Sequence, residues 1–185
     1  MFVFSGVFSP PDINGTDEFN LIEYCEDNRI SSEEELQGVV STYYGETRNT
    51  DSIEIYSDIV VSFDLTIDYE NQYVITTTVY ETRTTRSATS GYSIKNYRSS
   101  SGFIIYKVRV DGSFNYNGTS CSTASATATF TPTPIYGWSS SPNASSGRSG
   151  DKAYARAYGT AINGGASNSY SVYLYCNANG ELSSS

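Results

Sequence analysis

Histidine is absent from the 185 residues of this chain. Its absence excludes Ser–His and Cys–His nucleophilic pairs, histidine-ligated zinc sites and histidine as a general base. A pair of carboxylates can still hydrolyse a glycosidic bond. No conspicuous acid pair lies in a recognisable active-site motif, so we expect a protein that is not an enzyme, with a carboxylate-based glycoside hydrolase as the least favoured alternative.

Long apolar runs and a surplus of basic charge are also missing. No stretch approaches the roughly 20 apolar residues that a membrane helix needs, so we expect no membrane span. The chain has 20 acidic against 11 basic residues and a net charge of −9, which repels a phosphate backbone and argues against nucleic acid as a partner. The acidic residues form no Asp-x-Asp-x-Asp-Gly calcium loop, and we expect neither metal nor cofactor.

Cysteine is scarce and widely spaced. Cys25, Cys121 and Cys176 lie too far apart in sequence for a CxxC metal or redox motif. The polar, tyrosine-rich and lysine-poor composition is typical of extracellular proteins, in which cysteines pair. We therefore expect a secreted or cell-surface protein with two paired cysteines and one free; the alternative is three buried reduced thiols in a cytosolic protein.

The residues that are abundant favour strands. The chain has 17 tyrosines and 8 phenylalanines against a single methionine, and it is rich in Ser, Thr, Val and Gly. Its length suits one domain. The composition predicts a mainly β protein, an antiparallel β-sandwich with one short N-terminal α-helix. In this single domain, residues 1–50 provide an N-terminal strand and the helix, and residues 51–185 form the sandwich.

The clearest strand runs from Ile104 to Tyr116, where apolar and polar residues alternate strictly. At about 3.3 Å per residue it would be roughly 40 Å long, so we expect a bend or bulge near Gly112. The Asn117-Gly118 turn that follows predicts a hairpin with Phe114 opposite Cys121 and a bulge after Cys121.

Two other hairpins are predicted. Strands near residues 59–67 and 73–79 would pair Leu65 with Ile75, and the polar stretch 81–101 would then cross between sheets. Near the C-terminus, a two-residue turn at Asn163-Gly164 would pair Ala157 with Tyr170. Both C-terminal registers point a cysteine into the core, so we expect a disulfide between Cys121 and Cys176, with two unpaired core thiols as the alternative.

One helix is predicted between Ser32 and Tyr44, where apolar residues recur at helical spacing. Ser32 and Glu35 form a capping box, and Glu33 with Glu34 suits the N-terminal end of the helix dipole. Residues 18–29 form either a second short helix or an ordered loop.

The first eight residues are apolar at nearly every position and stop at two prolines. They carry no basic region and are too short for a signal peptide. We expect either an edge strand of the same domain or a strand donated to a neighbouring subunit. The residues of this assembly strand are Phe2, Val3, Phe4, Val7 and Phe8.

Three glycosylation sequons and one aromatic stripe are the remaining candidate sites. The sequons begin at Asn14, Asn117 and Asn143, in a chain so rich in Ser and Thr that chance can supply them. Trp138, in a Pro-, Ser- and Gly-rich loop, is either a ligand platform or a plug of the core. On the predicted solvent face of the last hairpin, cations flank an aromatic stripe that could bind sugar or protein, unless another layer covers it. The stripe consists of Tyr154, Tyr158, Tyr173 and Tyr175, with Lys152 and Arg156 beside them.

The segments 106–121 and 173–183 resemble a pattern in uncharacterised secreted proteins of Gram-positive, often clostridial, bacteria. There, a strand ending in a Phe-x-Tyr-x-Gly turn precedes one cysteine, and a late strand carries a second cysteine followed by Asn-Gly-x-Leu-Ser. The resemblance covers about the second half of the chain. It implies export and pairing of the two cysteines, and it implies no activity.

The sequence therefore favours a non-catalytic exported structural module. We expect it to assemble with copies of itself, as a filament or surface layer, through the apolar N-terminal strand. A carbohydrate- or host-surface-binding module that uses Trp138 and the tyrosines is the alternative.

Overall fold

A computed structural model describes residues 19–44 and 58–184. Within them, alternating and periodic apolar residues form two helices and nine strands. The N-terminal assembly strand and the sequon at Asn14 lie outside the described residues. The helices are α1 (Leu21–Asp27) and α2 (Glu33–Tyr44). The strands are β1 (Ile59–Asp68), β2 (Tyr73–Thr84), β3 (Ala88–Ser99), β4 (Ile104–Tyr116), β5 (Cys121–Pro132), β6 (Asn143–Ser149), β7 (Lys152–Asn163), β8 (Ala166–Cys176) and β9 (Leu182–Ser183).

The strands form two antiparallel meanders, β1-β2-β3-β4-β5 and β6-β7-β8-β9. The two sheets share one apolar core, to which β4 contributes Val108, Val110 and Phe114, and β8 contributes Val172 and Leu174. All five of these side chains are buried, as the alternation along their strands requires. The predicted mainly β, antiparallel sandwich is confirmed.

The helices cover the other face of the first sheet. Alternation along β2 directs Val79 into the core between the sheets and Val74 toward Leu36 and Val40 of α2. The molecule is thus layered as helices, first sheet, second sheet. The predicted helix is confirmed. Half of its capping box forms, since the Glu35 amide donates to Ser32 Oγ at 3.1 Å, but the Glu35 carboxylate accepts from the Ser31 amide, at 2.8 Å, rather than from that of Ser32. Residues 21–27 form the second, shorter helix.

The β4–β5 hairpin has a longer turn than the sequence predicts. Four residues connect the strands, because the Asn117 side-chain oxygen accepts hydrogen bonds from the backbone amides that follow it. Tyr116 therefore lies opposite Cys121, and Phe114 lies opposite Thr123. The prediction of Phe114 opposite Cys121 is wrong, because the register is shifted by two residues.

The bulge predicted after Cys121 is confirmed. Ser113 pairs with Ser125 while Phe114 pairs with Thr123, so Ala124 is the extra residue. The bulge keeps both Cys121 and the later core-facing alanines of β5 on the inner face.

The predicted register of the β1–β2 hairpin is wrong. Leu65 lies opposite Thr76, and Ile75 lies opposite Thr66. Leu65 packs under the helices, whereas Ile75 packs against the core between the sheets. The apolar residues of the two strands need not share a face here, because both faces of the first sheet are covered.

The prediction that the polar stretch 81–101 crosses between sheets is wrong. This stretch contains β3, the middle strand of the first sheet. Its buried Arg98 finds a partner in the helix layer. Arg98 forms an ion pair with Glu33 and donates to the Gly102 carbonyl at 2.9 Å. A polar pattern is therefore compatible with a buried strand at this position.

The β7–β8 turn consists of Gly164 and Gly165, one residue later than predicted. Gly164 has a φ of +57°, which a glycine adopts without strain. Ala157 consequently lies opposite Val172 rather than Tyr170. The register moves by two residues, so every side chain keeps the face that the sequence predicts.

The two C-terminal cysteines point into the core as predicted, but they form no disulfide. Cys121 is 1% exposed and Cys176 0%, and the two belong to one cluster without lying at bonding distance. The Cys176 thiol donates to the Asn177 carbonyl at 3.3 Å, and burial, together with the neighbouring Cys121, raises the pKa of Cys176. Cys25 is also free. The cysteines thus give no support for an oxidising compartment.

Candidate interaction surfaces

The outer face of the second sheet carries an aromatic surface that we call the tyrosine ladder. Along β7 the alanines at 153, 155 and 157 are fully buried, which turns the residues between them outward. β8 alternates in the same way. The ladder consists of Tyr154, Arg156, Tyr158, Tyr173 and Tyr175, all half-buried.

The register brings the predicted stripe together, but Tyr154 does not lie opposite Tyr173, which is where the predicted pairing of Ala157 with Tyr170 would place it. Tyr154 lies opposite Tyr175, and Arg156 lies opposite Tyr173. The Tyr173 and Tyr175 rings are nearly parallel with centroids 5.4 Å apart. Tyr154 meets both edge-on, at 5.6 and 6.1 Å. Each of these contacts falls within the range of favourable aromatic pairs.

Arg156 is held at the centre of the ladder. Its guanidinium carbon lies 4.6 Å from the Tyr158 ring centroid and 5.2 Å from that of Tyr173, both within cation–π range. Its Nε donates to Ser171 Oγ at 2.8 Å. The terminal amino groups make no hydrogen bond within the described residues. Because Ser171 and the two rings fix the guanidinium, these amino groups form a preorganised fork that fits a carboxylate.

Gly147 of the edge strand β6 makes room for the ladder. A Cβ at this position would lie 2.7 Å from the Tyr154 hydroxyl oxygen and 2.9 Å from its ring. The sequence did not reveal this residue, because β6 has no apolar alternation and its whole segment resembled a loop. A glycine opposite an aromatic residue of the neighbouring strand is the signal that could have found it.

The ladder lies on a cationic face of an acidic chain. Along the outward positions of β6 to β9, the charged residues are Lys152 and Arg156. The whole chain has a net charge of −9. The face therefore differs in sign from the average surface and is suited to anionic groups.

Trp138 lies apart from the ladder. It is half-buried, and its ring centroid lies 5.5 Å from that of Tyr106 at the core between the sheets. Tyr106 in turn stacks on Tyr97 at 4.5 Å and contacts Phe130 at 5.1 Å. This contact corresponds to the core plug that the sequence left open as an alternative. The structure does not bring Trp138 and the ladder together in one surface.

A second candidate surface is the outer edge of strand β1, which pairs with β2 alone among the described strands. β1 is an edge strand, and its first residues, Ile59, Val60 and Val61, are 66%, 50% and 42% exposed. A register shift between Val60 and Ser62 leaves Val61 outside the regular pairing. We call these three residues the β1 edge. An exposed apolar edge is a template for another strand, although a bulge blunts it.

The remaining candidate sites are the two described glycosylation sequons and any metal or membrane-spanning site. Asn117 and Asn143 are both exposed, as glycosylation requires, and the Asn117 side-chain oxygen is occupied by its own turn. Among residues 19–44 and 58–184 no group of three or more Cys, Asp or Glu side chains could hold a metal ion. Neither described helix has the length and apolar character of a membrane crossing.

Comparison of the chain with protein-family models, curated proteins and solved structures gives no match. The resemblance to secreted clostridial-type proteins therefore stays a prediction.

Proposed function

We propose that the chain is a non-catalytic structural module, exported to the cell surface or beyond, that assembles with copies of itself into a filament or layer. In the assembly, Met1–Phe8 of one copy adds as a strand to the β1 edge of the next. The observation that carries the proposal is the exposure of Ile59, Val60 and Val61 at the start of an edge strand.

Strand addition suits both partners chemically. An edge strand presents unpaired backbone N–H and C=O groups, and an added strand satisfies them while side-chain contacts set specificity. Met1–Phe8 supplies apolar, β-favouring residues, and the β1 edge offers apolar side chains to meet them. The polar, tyrosine-rich composition supports export.

The test compares assembly of the full chain, the chain without residues 1–8, and the Val60→Lys variant by light scattering and electron microscopy. We expect both variants to stay monomeric and folded, because one loses the donated strand and the other places a charge on its acceptor. Thr129→Lys, on the opposite edge strand β5, is the matched control and should assemble normally. Assembly that survives Val60→Lys, or loss of the monomer fold after the deletion, contradicts the proposal.

Binding to a carbohydrate or a host surface is the second candidate, and the position of the tyrosine ladder on the outer face of the second sheet is the observation that favours it. A glycan array probed with the native chain, Tyr173→Ala and Trp138→Ala would test it. Binding that is lost in Tyr173→Ala supports this function, and the absence of any binding counts against it. A carboxylate-based glycoside hydrolase stays a prediction of the sequence alone.

A further inference from the structure

Opposite ends of the layered molecule carry opposite charge. Residues 19–44, which form the helix layer, contain six carboxylates against one cation, Arg29. Glu33 is engaged by Arg98, while the others are exposed. At the other end of the stack, the outward positions of the second sheet carry Lys152 and Arg156 as their charges. The exposed carboxylates of the helix layer belong to Glu23, Glu26, Asp27, Glu34 and Glu35.

We propose that the tyrosine ladder of one copy binds the acidic helix layer of a second copy, with the Arg156 fork receiving a carboxylate. The inference rests on the proposed function in that copies associate, and it adds a contact separate from the β1 edge. Arg156 is prepared for this role because two rings and Ser171 fix its guanidinium before the partner arrives.

The ring geometry favours a protein over a sugar. A sugar stacks on an open ring face, but Tyr173 and Tyr175 turn their faces to each other and Arg156 lies over Tyr158 and Tyr173. The ladder therefore presents ring edges, phenol hydroxyls and a guanidinium. Tyrosine and arginine in such packing are the residue types that dominate binding energy at protein interfaces.

The layer order makes the contact one between copies. The first sheet separates the helices from the second sheet, so the ladder and the acidic helices of one chain face away from each other. Contact between two different surfaces is heterologous. When the rotation from one copy to the next does not close a ring, the copies continue as an open row. Charge complementarity thus predicts head-to-tail stacking along the direction of the layers.

The experiment uses the full chain and measures self-association by sedimentation at low and high salt. Arg156→Glu and the double variant Asp27→Lys/Glu34→Lys are compared separately and as a mixture. Asp27 and Glu34 make no side-chain hydrogen bond or ion pair within the described residues. Arg86→Glu and Glu70→Lys, both at exposed turns, each reverse one charge elsewhere and serve as controls. Circular dichroism verifies that each variant is folded.

We expect the association to weaken as salt is raised. Arg156→Glu and Asp27→Lys/Glu34→Lys should each weaken it about tenfold or more, whereas the controls should leave it unchanged. Mixing these two variants should restore it, because each then meets a surface of opposite charge. A zero-length carbodiimide should join Lys152 to helix-layer carboxylates of a different, isotopically labelled chain. Unaltered association in Arg156→Glu, no restoration in the mixture, or cross-links confined to single chains would overturn the inference.

The Val60→Lys variant separates this inference from the proposed strand addition. If Lys152 cross-links persist in Val60→Lys while filaments are lost, both contacts exist. If Val60→Lys changes nothing but Arg156→Glu dissociates the copies, strand addition fails and the ladder contact stands. The reverse pattern overturns the ladder contact alone.

Discussion

Arg98 and Glu33 form an ion pair between the middle strand of the first sheet and the first residue of α2. The Arg98 side chain is 1% exposed and that of Glu33 20%. Arg98 also donates to Gln37 at 3.3 Å, one turn further along the helix. This pair joins the helix layer to the sheet together with Thr76 Oγ1, which donates to the other carboxylate oxygen of Glu33 at 2.7 Å.

Glu33→Ala should lower the free energy of unfolding by about 3 kcal/mol, because it leaves the Arg98 charge buried without its partner. Urea denaturation measures the change. Glu34→Ala, one residue along and exposed, should stay within about 0.5 kcal/mol of the native chain. A double variant Glu33→Leu/Arg98→Met should recover most of the loss. Equal stabilities of Glu33→Ala and Glu34→Ala would show that the pair does not hold the layer.

Two glycine-to-alanine substitutions should change stability in opposite directions. At Gly91 a Cβ would lie 2.2 Å from the Tyr80 carbonyl oxygen and 2.6 Å from Leu182, so Gly91→Ala should destabilise by about 2–3 kcal/mol. At Gly38 nothing lies within 4 Å, and alanine is the better helix former, so Gly38→Ala should stabilise by about 0.5–1 kcal/mol. Thermal denaturation of both variants measures the two changes in stability. Changes of the same sign in Gly91→Ala and Gly38→Ala would contradict the prediction.

Three thiols per chain should react with an alkylating reagent after denaturation without reductant, since no cysteine is bonded. In the native chain, Cys121 and Cys176 should be protected by burial. Cys25 should react about a hundredfold more slowly than an ordinary thiol, because burial raises its pKa from 9.0 to about 11. Mass spectrometry counts the labels, and a single label after denaturation would show a disulfide.

Stability should fall as the pH rises above 10. Burial between the sheets, and the neighbouring Tyr170, raise the pKa of Tyr97 above its ordinary value of 10.0. Burial likewise raises the pKa of Tyr106. The unfolded chain then loses these protons first, so the stability present below pH 10 is lost above it. Urea denaturation as a function of pH measures this loss, and Tyr97→Phe should make the fall shallower. An unchanged slope in Tyr97→Phe would contradict the prediction.

The elements that alternation or helical spacing marks were predictable from the sequence. β4 and α2 each have their apolar residues on one face. In β7 and β8, both the predicted and the observed turn register place the ladder tyrosines on the outer face. The outward placement of the ladder residues could therefore be predicted, although the partner of Tyr154 could not. A shift of two residues changes cross-strand neighbours without changing faces.

What the sequence could not predict depends on contacts between distant segments. β3 contains Arg98 at a buried position, and Glu33 on α2 supplies the opposite charge that makes this residue acceptable in a central strand. β6 is short and lacks apolar residues, so it forms because β7 offers it an edge. The fixed orientation of Arg156 likewise arises from β8, through Ser171 and Tyr173.

The two sheets are consecutive in sequence, and the chain passes between them once, through the loop after β5. Every strand pair is between neighbours along the chain, so each sheet can be completed by closing short hairpins in succession. Contact between the two sheets then brings Ala155 against Gly112 and Leu182 against Gly91. The same topology means that a cut in the loop near residue 140 would leave two pieces, each with a whole sheet, able to recombine as a split protein does.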